Sequence, residues 1–106
     1  MPNFGITYQG PMTYYLDGEL DIATVPALTA AISDSLGKGG PLTLDLSGVT
    51  FIDSSGVGAI LKAGQDHLPG GCVVLHGVHD ATQRLIELMG VGRATNLHLI
   101  PCVVAA

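Results

Sequence analysis

The most constraining feature of this sequence is a change of hydrophobic period across one aspartate. In "PLTLDLS", Leu42, Leu44 and Leu46 recur at every second residue and share one face of a strand. Phe51 and Ile52 carry the run to Asp53. Beyond it, Val57, Ile60, Leu61, Gly64 and Leu68 recur at helical spacing, which predicts a helix with its stripe against a core. A strand that passes directly into an amphipathic helix points to a layered α/β chain.

The flanking segments follow the same rhythm. "NFGITYQG" alternates through Phe4, Ile6 and Tyr8, and "MTYYLDGELD" alternates through Met12, Tyr14 and Leu16. Gly10-Pro11 between them is a turn signal, so the pair reads as a hairpin. Thr24 is the expected N-cap of a first helix, with Pro26 in its first turn and Val25, Leu28, Ile32 and Leu36 at helical spacing. "GKGG" at 37–40 ends it. After "PGG" at 69–71, "CVVLHG" reads as a continuously apolar, buried strand. In "HDATQRLIELMG", Asp80 is the expected N-cap, Gln83 completes a capping box, and Leu85, Leu88 and Met89 form the apolar stripe. "NLHLI" reads as a last short strand. The order β-β-α-β-α-β-α-β implies parallel pairing with right-handed crossovers, and residues 1–106 read as one domain.

Composition narrows the function classes. The chain is 47% hydrophobic and only 12% charged, which argues against disorder and suggests apolar surface facing a partner. Its net charge is −5 with four Lys and Arg, and these form no cluster. Nucleic-acid binding and anionic membrane surfaces are therefore disfavoured. Cys72 and Cys102 lie far apart with no second pair, so no zinc site is indicated. "MPNFGITYQG" lacks the pattern of a signal peptide, and the apolar tail "LIPCVVAA" is too short to span a bilayer. The expectation is a cytoplasmic protein with reduced thiols.

The turn Asp53-Ser54-Ser55-Gly56 holds the densest chemistry. Read from residue types alone, it has three uses. Its oxygens suit the free N–H groups of a helix N-terminus. A hydrolase elbow needs Gly-x-Ser-x-Gly; centred on Ser54 the first glycine is missing, and centred on Ser55 both are. The histidines at 67, 76, 79 and 98 have no spacing that implies a triad. Third, a serine here could accept a phosphate. Its product would meet unpaired N–H groups and the positive end of a helix dipole. It would also put nearly two negative charges beside Asp53, and a partner docked there would be repelled.

The chain resembles the STAS domain, and specifically the single-domain anti-sigma factor antagonists of bacteria. The likeness lies in "LDGELDIATVPAL" (16–28), "LTLDLSGVTFIDSSGVGAIL" (42–61) and "VLHGVHDATQRLIELMGV" (74–91). The resemblance implies a mixed β-sheet of about five strands with helices packed on one side. It implies a binding module rather than an enzyme. Such an antagonist binds an anti-sigma factor that is a serine kinase, and so frees a sigma factor. The kinase inactivates it by phosphorylating a serine, and a serine phosphatase reverses this. Carried over, the phosphoacceptor is Ser55, and the partner surface comprises Asp21, Asp53, Ser54, Gly56, Val57 and Gly58. Gly56 is expected to admit a kinase backbone. ATP and magnesium belong to the kinase, so no cofactor and no metal is expected of this chain.

The family also includes constitutive scaffolds and accessory domains of transporters and stress complexes, which remain the alternative. Other residues fit bland roles. His76 and His79 read as surface or loop histidines, Cys72 as core, and Tyr14 and Tyr15 as one buried and one exposed. Arg84 and Lys62 read as solvated cations, and Val57, Gly58 and Ala59 as a small-residue surface around the turn.

Overall fold

The alternation of the strands resolves into one sheet with a covered face and an open face. The computed structural model describes residues 3–67, 70–89 and 97–101. In it β1 (Phe4–Gly10), β2 (Thr13–Leu20), β3 (Gly40–Ile52), β4 (Gly71–Val78) and β5 (Leu97–Pro101) lie side by side in chain order. β1 and β2 pair antiparallel as the expected hairpin. The other three pairs are parallel. Each parallel pair needs a crossover, and α1 (Val25–Ile32), α2 (Ser54–Asp66) and α3 (Asp80–Leu88) lie in those crossovers.

The helices pack on one side. Tyr14, Leu16 and Leu20 of β2, Leu42, Leu44 and Leu46 of β3, and Val73 and Leu75 of β4 are buried against Leu28, Ile32, Val57, Ile60 and Ile86. Tyr15, Asp17, Thr43, Asp45, Cys72 and Val74 are half-buried on the other face, and His76 is exposed. β4 is therefore buried on alternate residues rather than continuously, because helices cover only one face. Cys72 is half-buried rather than core. Tyr14 is buried with its hydroxyl 2.8 Å from Ser35 Oγ, whereas Tyr15 is half-buried.

Three helix details differ from the sequence expectation. Thr24 stands at the N-cap of α1 without a side-chain cap, because its hydroxyl donates back to Glu19 O at 2.8 Å. α1 ends at Ile32, and Leu36 packs on the core from beyond a short 3-10 turn. α3 begins at Asp80 itself, with His79 at the N-cap. No capping box forms, since Gln83 Nε2 donates forward to Glu87 Oε1 at 3.2 Å. The buried side of α3 is Thr82 and Ile86 with Leu85 half-buried, while Leu88 and Met89 are exposed. In α2 the expected Val57, Ile60 and Gly64 are buried, Leu61 is half-buried, and Gly56 and Ala63 join the buried face. Leu68, His98 and Cys102 lie outside the residues whose side chains are described.

A buried histidine ties the far end of α2 to the sheet. His67 is fully buried; its Nδ1 accepts from Gly37 N–H at 3.1 Å, so Nε2 donates to Gly40 O at 2.9 Å. A Cβ at Gly71 would collide with the His67 ring.

Candidate functional site

The site grows out of the register of two parallel strands. Leu20 of β2 and Ile52 of β3 are partners, so both strands run out at the same level. Asp53 N–H donates to Leu20 O at 3.3 Å. Each strand then delivers an aspartate that organises a turn in the same way. Asp53 Oδ1 accepts from Ser55 N–H at 2.9 Å and Gly56 N–H at 3.1 Å, and its carbonyl accepts from Val57 N–H at 3.0 Å. Asp21 Oδ1 accepts from Ala23 N–H at 2.9 Å and Thr24 N–H at 3.2 Å, and its carbonyl accepts from Val25 N–H at 2.9 Å. At Asp53 one charged oxygen satisfies two orphan donors at the start of α2, while the two donors held by Asp21 lie just before α1.

The cap is thus Asp53, and the serines are left over. Ser54 is exposed and Ser55 half-buried. Among the described residues neither hydroxyl has a hydrogen-bond partner. No described histidine serves them as a base. Both ring nitrogens of His67 are engaged by backbone, and His79 Nε2 lies 3.0 Å from Ser47 O. Among the described residues the turn therefore offers two hydroxyls to an outside reagent, with no histidine hydrogen-bonded to either.

Two expectations about the turn are corrected. The N–H groups of Ser55 and Gly56 are already held by Asp53, so a phosphoryl group here meets occupied donors rather than unpaired ones. Gly56 is buried, and a Cβ on it would stand 2.6 Å from Leu20 O and 2.8 Å from Ile52 Cγ1. Its lack of a side chain lets α2 start against the end of β2, and leaves no opening for a kinase backbone. Val57 has 0% exposure. Of the expected partner surface, Asp21, Asp53, Ser54 and Gly58 reach solvent beside Ser55, while Gly56 and Val57 support it from beneath.

Sequence reasoning passes over Glu19, Ile22 and Phe51, all exposed at this end of the sheet. Its missed signal is the phase of β3. Burial falls on Leu42, Leu44 and Leu46 but then on Val49, one residue off the alternation. The pairing shows two irregularities: Tyr15 faces Asp45 but Asp17 faces Gly48, which adds a residue to β3 before Val49 and shifts its phase, and Gly18 faces Val49 but Glu19 faces Phe51, so Thr50 is a second extra residue.

Elsewhere the chemistry is sparse. A cleft of about 100 Å³ between α1 and α2 is walled mainly by Val25, Leu28, Ile32, Ala59 and Ala63, and Lys62 at its rim pairs with Asp66 at 3.1 Å. Among the described residues no three His, Cys, Asp or Glu side chains converge as a metal site. No described helix is long and apolar enough to cross a membrane.

The STAS domain model matches residues 6–101. An anti-sigma factor antagonist from Mycobacterium paratuberculosis is 27% identical, with a TM-score of 0.68 over 90% of this chain and 85% of that one. The anti-sigma factor antagonist SpoIIAA in its unphosphorylated form is 18% identical, with a TM-score of 0.67 over 94% and 89%. The murine anion transporter Slc26a9 in its inward-facing state is 20% identical, with a TM-score of 0.65 over 91% of this chain but 17% of the transporter. The last two likenesses speak to the fold alone.

Proposed function

The chain belongs to the STAS domain family, and on that premise we propose that it is an anti-sigma factor antagonist switched by phosphorylation of Ser55. In this reading residues 1–106 are one cytoplasmic STAS domain that binds an anti-sigma factor serine kinase and releases a sigma factor. The observation that carries the reading is the Asp53-capped turn, which holds a half-buried Ser55 whose hydroxyl has no hydrogen-bond partner among the described residues. Likeness to an antagonist over nearly the whole of both chains supports it.

The chemistry needs nothing further from this protein. Ser55 Oγ attacks the γ-phosphorus of ATP held with magnesium by the kinase. The bond to the ADP oxygen breaks, and a kinase base takes the hydroxyl proton. The product carries nearly two negative charges. The Ser55 and Gly56 amides are held by Asp53, so these two donors are not free to receive the new charges. A partner shaped to a neutral hydroxyl would have to bury them unpaired, which opposes docking. A phosphatase restores the hydroxyl.

The test is titration of a purified anti-sigma factor kinase with wild type, Ser55→Ala and Ser55→Asp. Wild type and Ser55→Ala bind, and Ser55→Asp loses at least about tenfold in affinity, roughly 1.4 kcal/mol. Equal binding by Ser55→Asp contradicts the switch. It would favour the constitutive accessory role suggested by the fold's occurrence within a transporter.

A further inference from the structure

We propose that Phe51 and Ile22 are the apolar anchors by which this protein grips its anti-sigma factor, and that Glu19, Asp21 and Asp53 select partner pockets rimmed by Lys or Arg. This rests on the antagonist reading and adds the residues that carry affinity and the chemistry they demand.

The backbone exposes Phe51 by a specific device. The extra residue Thr50 breaks the alternation of β3, and Phe51 stands opposite exposed Glu19 with 51% of its surface in solvent. Bulges that re-aim a side chain are frequent beside functional sites. Phe51 is also one wall of a groove of about 210 Å³ between the end of β3 and the start of α3, with Thr50, His79, Ala81 and Thr82. Ile22, in the turn after β2, is 77% exposed. Because Leu20 and Ile52 are partners, Ile22 and Phe51 leave from neighbouring strand ends, next to the turn that Asp53 begins. Large side chains set near the centre of a protein interface carry most of its binding energy.

Charge says what covers them. Glu19, Asp21 and Asp53 stand at these strand ends, and Asp80 follows His79 at the groove. None of Lys38, Lys62 and Arg84 belongs to the ends of β2 and β3 or to the turns after them. A surface of two apolar side chains in an acidic frame complements apolar pockets with a cationic rim, which also speeds and orients encounter.

The experiment is calorimetric titration of the purified anti-sigma factor with wild type, Phe51→Ala, Ile22→Ala, Glu19→Gln and the control Leu88→Ala, at low and high salt. Leu88 is 79% exposed on α3. Phe51→Ala is expected to weaken binding about 30-fold or more, Ile22→Ala about tenfold, and Leu88→Ala not at all. Glu19→Gln should lower the salt dependence. All four should melt with wild type, which separates docking from folding. If wild type fails to bind, the antagonist reading falls. If wild type binds and Phe51→Ala matches it, this inference alone falls. It also falls if sedimentation shows a wild-type dimer that Phe51→Ala dissolves, since a second copy would then own the patch.

Discussion

Asp53 and Leu20 are joined by a backbone hydrogen bond of 3.3 Å, from the N–H that ends β3 to the carbonyl that ends β2. The same Leu20 carbonyl lies under Gly56. One peptide group thus locks the start of α2 to the end of a neighbouring strand, and Ser55 lies between these two fixed points.

Gly56 and Gly58 should respond in opposite ways to the same substitution. A Cβ at Gly56 meets backbone and core atoms within 3 Å, whereas at Gly58 it meets nothing within 4 Å. Gly56→Ala should cost about 1–3 kcal/mol by overpacking. Gly58→Ala should be neutral or stabilise by up to about 1 kcal/mol through helix propensity. Urea unfolding of the two variants measures both.

The cap has its own signature. Asp53→Ala frees the Ser55 and Gly56 amides and should cost about 1–2 kcal/mol, while Asp53→Asn should keep most of that. Equal losses in denaturant midpoint would point to charge rather than the accepted hydrogen bonds.

At the opposite end of α2, His67→Ala leaves the Gly37 amide and Gly40 carbonyl without their ring partners and opens a buried space. The expected cost is about 2–5 kcal/mol. Gly71→Ala should also destabilise, because the new methyl meets the same ring. Thermal melting of each variant decides this, and a wild-type melt for His67→Ala would contradict the tie.

On α3, Ile86→Ala should cost about 2–5 kcal/mol and Leu88→Ala less than about 0.5 kcal/mol. Ile86 is 1% exposed and Leu88 79%. Chemical unfolding should separate them clearly.

That contrast shows where the sequence is legible. Strong periods survive folding: Leu42, Leu44 and Leu46 face the core, and the change of period at Asp53 is the start of α2. The β-β-α-β-α-β-α-β order, read from the alternation and helical spacing of every segment, and the mixed sheet that the family resemblance implies are both observed. Short helices are harder. In α3, Leu85, Leu88 and Met89 share a helical stripe with Ile86 beside it, and only packing against the sheet decides which of them is covered. Thr24 has the composition of a cap, yet tertiary geometry turns its hydroxyl back to Glu19. The turn at Asp53 is readable as a motif, but the placement of Phe51 is not, because two register shifts in β3, one before Val49 and one at Thr50, are set by its pairing with β2. His67 carries no local signal, since its partners lie at Gly37 and Gly40.

The central claim is that Ser55 is a phosphoacceptor, and intact mass tests it most directly. The protein would be purified from its native cells in growth and under stress, beside a Ser55→Ala variant. The account predicts a species heavier by one phosphate in at least one condition, with the added mass on Ser55 and absent from the variant. Unmodified protein in every condition, or a phosphate that persists in Ser55→Ala, would contradict it.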